Sequence, residues 1–97
     1  MSQVRFAPVA IRDLQRLREF LRPKNPVAAR RAGETIIKAL EVLGRQPQIG
    51  RPVEDMAHNY REWLINFGDS GYVVRYRFDG DEITILAVRH QKETGYP

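Results

Sequence analysis

Apolar and polar positions follow two regimes along this chain: a helical period in the first half and a two-residue period in the second. The opening Gln3-Val4-Arg5-Phe6-Ala7 alternates polar with apolar side chains and predicts a short first strand. Pro8 then suits the first turn of a helix, where its missing N–H is no loss. Ile11, Leu14, Leu17, Phe20 and Leu21 recur every three or four residues and predict one apolar stripe, with Arg12, Arg16 and Glu19 off it and facing water. Pro23 stops this helix, because the residue before a proline is pushed out of the helical region. Asn25 and Pro26 read as the N-cap and first residue of a second helix. Its seam is Ala29, Ala32, Ile36, Leu40 and Leu43, widened by Ile37 and Ala39, and Gly44 is expected as a left-handed C-cap ahead of Pro47. About nineteen residues at ~1.5 Å rise give roughly 28 Å of helix. The short turn at 22–25 predicts an antiparallel hairpin, and Ala28, Ala29, Ala32 and Gly33 predict close approach of its two helices.

Residues 46–59 hold Pro47, Gly50, Pro52 and Asp55 without periodicity and read as an ordered connecting loop. The period then becomes two. Over 61–67, Trp63, Ile65 and Phe67 oppose Glu62, Leu64 and Asn66; over 72–78, Tyr72, Val74, Tyr76 and Phe78 oppose Val73, Arg75 and Arg77. The last strand, 82–89, sets Ile83, Ile85 and Ala87 against Thr84, Leu86 and Val88. Gly68-Asp69-Ser70-Gly71 and Asp79-Gly80 supply the turns, the second a strong two-residue hairpin signal. The expected fold class is therefore α+β, ordered β-α-α-β-β-β: a helical hairpin packed on one face of a small antiparallel sheet, forming a single domain over 1–97.

Composition narrows the function classes. With 42% hydrophobic and 29% charged residues in 97, the chain reads as globular. Its unbroken apolar stretches are a few residues long, far short of the ~20 a membrane helix needs. Arg12, Asp13, Arg16, Arg18 and Glu19 are dispersed along the first helix, so it does not read as a signal peptide. The absence of cysteine removes disulfides, thiolate metal sites and cysteine nucleophiles, and a reducing cytoplasm is the natural compartment. Charge is lopsided: eleven Lys or Arg against four acids in 1–51, an excess of +7, and five against eight in 52–97, a deficit of −3. A basic half beside an acidic half fits a surface for nucleic acid or for an acidic protein segment, and equally a pair of solvated helix faces.

The usual catalytic signals are absent. No glycine-rich phosphate loop precedes a helix, and Ser70 lies in a turn beside Asp69. His58 and His90 stand thirty-two residues apart without ligand spacing, so no metal site or cofactor is expected. What remains is basic and aromatic. Arg75 and Arg77 share a strand face and present rigid donors to carboxylate or phosphate, or pair across strands with Glu62, Asp81 or Glu82. Arg89, His90 and Lys92 follow at the end of the last strand; His90 could move protons, or simply cap the strand. Tyr60 and Trp63 could stack on a base, Trp63 being the more structural of the two.

Taken in order, several patterns resemble the RelE/ParE superfamily of bacterial type II toxins. They are Ala10-Ile11-Arg12-Asp13-Leu14, Gly50-Arg51-Pro52-Val53, Arg61-Glu62-Trp63-Leu64-Ile65, Ser70-Gly71-Tyr72, Val74-Arg75-Tyr76-Arg77 and Ile85-Leu86-Ala87-Val88-Arg89-His90. The resemblance spans nearly the whole chain and implies one of two activities on one fold. RelE-like members cut messenger RNA on the ribosome with strand cations and a terminal tyrosine or histidine. Here Val73 stands where that pattern has an arginine, and Leu64 and Asn66 stand where lysines are expected. Arg75, Arg77, His90 and Tyr96 would be the nuclease set. ParE-like members resemble this chain in lacking that set and imply inhibition of DNA gyrase by binding, with stabilisation of cleaved complexes. In that reading the contact residues are Arg12, Arg16, Arg75, Arg77, Arg89, His90 and Lys92. The resemblance further implies a cognate, ParD-like antitoxin and DNA contact through the complex. The expected function is a gyrase-inhibiting toxin; the alternatives are a ribosome-dependent mRNA endonuclease and a non-toxic complex-forming relative.

Overall fold

The computed structural model describes residues 3–21, 23–68 and 70–92, with the side chains of Leu21 and Ser70 left aside. Strand β1 (Gln3–Phe6) leads into helices α1 (Pro8–Leu21) and α2 (Pro26–Arg45), followed by strands β2 (Arg51–Pro52), β3 (Tyr60–Phe67), β4 (Ser70–Asp79) and β5 (Glu82–His90). These strands form one sheet ordered β1-β5-β4-β3-β2. The antiparallel meander β3-β4-β5 is as the alternation predicts. Two features correct the expectation of a purely antiparallel sheet. β1 pairs parallel to β5, because the helical hairpin crosses over from β1 to the meander, whose first and last strands run in the same direction as β1. The segment read as loop contributes β2, two residues pairing with Arg61 and Glu62.

The second helix starts as its sequence predicts: the Asn25 side chain accepts the Ala28 N–H at 3.0 Å, and Pro26 opens the first turn. Its end differs. Gly44 is buried inside the last turn rather than capping it, and Gln46 is the C-cap, its N–H reaching the Val42 and Leu43 carbonyls. Ala32, Ile36, Leu40 and Leu43 are buried along the seam as expected, while Ile37 is 61% exposed.

Helix α1 is rotated from its predicted stripe. Ala10, Asp13 and Leu17 face the core, whereas Ile11 and Phe20 are exposed. Arg16, expected in water, is half-buried against β5. The core joins these helix residues to Tyr72, Val74 and Tyr76 of β4 and Ile83, Ile85 and Val88 of β5. A bulge decides that last membership. Tyr76 pairs with Ile85 but Arg75 pairs with Ala87, so Leu86 is an extra residue and the phase of β5 inverts after it. Val88 therefore enters the core opposite Val74, and Ala87 joins Arg75 on the other face, the reverse of the simple alternation.

Candidate functional site

Two surfaces stand out, one on each side of the sheet. On the face away from the helices, register sets side chains in rows across the strands. Arg51, Glu62, Arg75 and Ala87 form one row; Tyr60, Arg77, Thr84 and Arg5 form the next; Leu64, Val73 and Arg89 lie on the other side. Glu62 sits between two arginines. Its Oε2 accepts both Nε and Nη2 of Arg75, at 3.1 and 2.9 Å, and its Oε1 lies 3.6 Å from Arg51 Nη2. The Glu62 side chain is only 11% exposed, so this carboxylate is held largely out of water by its arginines. Arg77 Nε bonds Asp79 at 2.7 Å, and its guanidinium lies 6.0 Å from the Tyr60 ring. Hydrogen bonds donated to Tyr60 and then to Asp79 hold the Arg77 guanidinium further above its ordinary value. At the margin, Arg5 pairs with Glu82 at 3.1 Å.

The structure brings Arg75, Arg77 and Arg89 onto this one face, but it separates His90 from them. His90 pairs with Tyr72, so its ring lies on the helix side, edge-on to the Tyr72 ring at 5.5 Å. Its Nδ1 accepts the Lys92 N–H at 3.1 Å, the strand-capping role weighed from sequence. Arg12 is exposed on α1, and Arg16 is directed to the Val88 carbonyl at 3.4 Å. Tyr96 lies outside the described residues. His58 packs edge-on against Phe78, and no group of three His, Asp or Glu side chains gathers among the described residues.

The second surface lies on the helical hairpin. Ala29 and Gly33 do not bring the helices together; with Leu14, Ile37 and Leu40 they line an apolar groove of about 210 Å³, closed at one side by Phe6 of β1. A Cβ built on Gly33 would meet nothing within 4 Å. Arg18 borders the groove, and Arg30 with Glu34 and Arg45 with Glu41 stand beside its extensions along α2. The exposed Ile37 beside a glycine was the signal available in the sequence, read there as a wider seam.

The loop before β2 is fixed from below. Tyr76 is fully buried; its hydroxyl donates to the Pro47 carbonyl at 2.7 Å and accepts the Gly50 N–H at 2.9 Å. Burial pushes the Tyr76 phenol upward, partly offset by the Gly50 N–H and by Arg61. Arg61 bonds the Gly50 carbonyl at 2.9 Å, so the loop is anchored from two strands and Arg51 is delivered beside Glu62.

No helix among the described residues is long and apolar enough to cross a membrane. Comparison with known proteins agrees with this architecture. The family described as "ParE toxin of type II toxin-antitoxin system, parDE" matches residues 4–95. Toxin RelE3 of Caulobacter vibrioides is 38% identical over 93 residues, covering 96% of this chain and 98% of that protein. Among solved structures, a chromosomal ParDE system from P. aeruginosa shares the fold with a TM-score of 0.73 at 18% identity, over 95% of this chain and 98% of that one. A chain of the RelBE2 toxin–antitoxin complex from Mycobacterium tuberculosis aligns with a TM-score of 0.63 at 26% identity, over 92% and 96%. With the family match running nearly end to end and a full-length toxin at this level of identity, the chain belongs to the ParE toxin family of type II toxin–antitoxin systems, within the RelE/ParE superfamily.

Proposed function

We propose that this toxin arrests growth in the cytoplasm by binding DNA gyrase and holding it in its cleaved complex with DNA, without chemistry of its own. One observation carries the reading: the strand arginines that a nuclease would aim at phosphorus are taken up by carboxylates of the same face, Arg75 by Glu62 and Arg77 by Asp79. Stabilising a pentacoordinate phosphorus needs cations directed at the developing charge. Leu64 and Val73 fill the neighbouring row with apolar surface, and His90 stands through the sheet from Arg75. Such a face supports adhesion better than proton transfer.

A cognate antitoxin completes the proposal. The helical groove fits an amphipathic segment, with apolar side chains beside Ile37 and Gly33 and acidic ones reaching Arg18, Arg30 and Arg45. The toxin–antitoxin complexes among its structural relatives support a partner of this kind.

A second reading, a ribosome-dependent mRNA endonuclease, is favoured by the RelE name of the 38% identical relative. One experiment separates them: gyrase supercoiling with and without the purified toxin, beside primer extension on translated messenger RNA. Accumulated cleavage complexes with intact message support the binding reading. Codon-phased cuts with unaffected supercoiling replace it with the nuclease, and His90→Gln would then abolish cutting. If neither assay responds, the chain is a non-toxic complex-forming relative.

A further inference from the structure

Glu62 occupies an unusual place. It stands on the sheet face that carries no helix, yet its side chain is only 11% exposed. In register it lies directly between Arg51 on β2 and Arg75 on β4, so both neighbouring strands present a guanidinium to one carboxylate. Arg75 meets it through Nε and Nη2, the edge of the guanidinium that also fits a phosphate. Arg51 remains 78% exposed, so the trio opens to solvent on the β2 side.

Two arginines around one acid leave the trio with a positive excess. The next row, about 7 Å further along β4 at two residues' rise, sets the Tyr60 ring beside Arg77, whose charge Asp79 already partners, so the excess stays with the trio. The row on the other side adds Leu64, 44% exposed. Cations alternating with aromatic and apolar surface are what a single strand of nucleic acid uses, phosphates on the cations and bases on the flat groups. A uniformly acidic peptide would match the cations but leave the aromatic and apolar rows uncovered.

We propose that Glu62 is an internal competitor for phosphate: it fills a receptor formed by Arg51 and Arg75 and thereby holds down the affinity of the open sheet face for single-stranded nucleic acid. Neutralising it without changing its shape releases two guanidiniums to the phosphodiester backbone. The trio's behaviour is independent of which enzyme the toxin arrests.

The test is fluorescence anisotropy of the purified toxin with fluorescein-labelled 12-nucleotide single strands, one RNA and one DNA of the same sequence, at 50, 100 and 200 mM KCl. Glu62→Gln should bind at least one of them five times or more tightly than the parent at 100 mM. The larger gain identifies the source of the phosphate. The slope of log affinity against log salt should steepen by about 0.7 for each phosphate gained. Adding Arg75→Gln to Glu62→Gln should return affinity to within twofold of the parent. Glu19→Gln, the same charge change on exposed α1, should shift affinity less than twofold. Glu62→Asp, which keeps the charge but withdraws it by one methylene, should also tighten binding and serves if Glu62→Gln does not fold. The proposal is overturned if folded Glu62→Gln, or Glu62→Asp in its place, gains less than fivefold or less than twofold respectively. It is equally overturned if the gain survives Arg75→Gln, if Glu19→Gln matches it, or if a 12-residue polyglutamate displaces the nucleic acid with equal affinity.

Discussion

The Asp13 carboxylate on α1 accepts the backbone N–H of Val88 on β5 at 2.9 Å, across seventy-five residues of sequence. One turn along α1, Arg16 reaches the Val88 carbonyl at 3.4 Å and lies 3.6 Å from Asp13. The reason lies in the sheet. β1 pairs with β5 only as far as Ile85, and beyond that point no strand of the described residues lies beside the outer edge of β5. Two side chains spaced i and i+3 on a helix thus do the work of a strand residue, one accepting and one donating. This explains why a charged residue, 5% exposed, displaces Ile11 from the core-facing side of α1.

Asp13→Ala should therefore destabilise the toxin by about 2–3 kcal/mol, because a buried N–H is left without an acceptor. Asp13→Asn should cost less than half of that, its amide oxygen still accepting from Val88. Urea unfolding measures the difference, and hydrogen exchange should show loss of protection at the Val88 amide. Equal losses in both variants would locate the effect in the Arg16 ion pair instead.

Tyr76 links stability to alkaline pH. Its phenol is raised above the ordinary value of 10.0 by burial, as is that of Tyr72. The protonated form thus belongs to the folded state, so its contribution is fully present below pH 10 and is lost as pH rises through the raised value. Stability from urea melts should fall above pH 10. Tyr76→Phe should cost about 1–3 kcal/mol at pH 7, where Gly50 and Pro47 lose their partner, and should make the alkaline fall shallower while Tyr72 keeps part of it.

Gly71 and Gly33 should respond oppositely to alanine. A Cβ at Gly71 would collide with the Ile65 carbonyl oxygen, a backbone atom of the paired strand, whereas one at Gly33 meets open space on a helix. Gly71→Ala should destabilise by roughly 3 kcal/mol. Gly33→Ala should stabilise the free toxin by about 0.5–1 kcal/mol, from lower chain entropy in the unfolded state. Thermal melts of the two variants check both signs.

Ile37→Asp tests the groove without disturbing the core, since the side chain is 61% exposed. The variant should fold with parental stability and still arrest growth, while co-expressed antitoxin should no longer neutralise it. In a pull-down the complex should weaken by at least tenfold. Full neutralisation would move the antitoxin's main contact elsewhere.

Much of this architecture was legible in the order of residues. The switch from helical to two-residue period located both helices and the meander, and Asn25 with Pro26 marked the start of α2 because capping is a local interaction. Patterns that failed did so where a distant neighbour changed the rule. Leu86 reads as one more alternating residue, yet the bulge that absorbs it inverts the strand, carrying Val88 inward and placing His90 beside Tyr72 rather than on the face of Arg75. Nothing in the sequence marks Asp13 for the core, because no local pattern reveals an unpaired strand edge.

The sequence by itself determined the helices, the meander, the lopsided charge and the family, since period, capping and composition act between near neighbours or over the whole chain. Only the tertiary structure decided which arginines of different strands share a face, that Glu62 stands between Arg51 and Arg75, and that the small residues of α2 open a groove instead of closing a helix pair. Those relationships depend on strand register and helix rotation. Both are set by hydrogen bonds and packing between residues far apart in the chain, which no local spacing encodes.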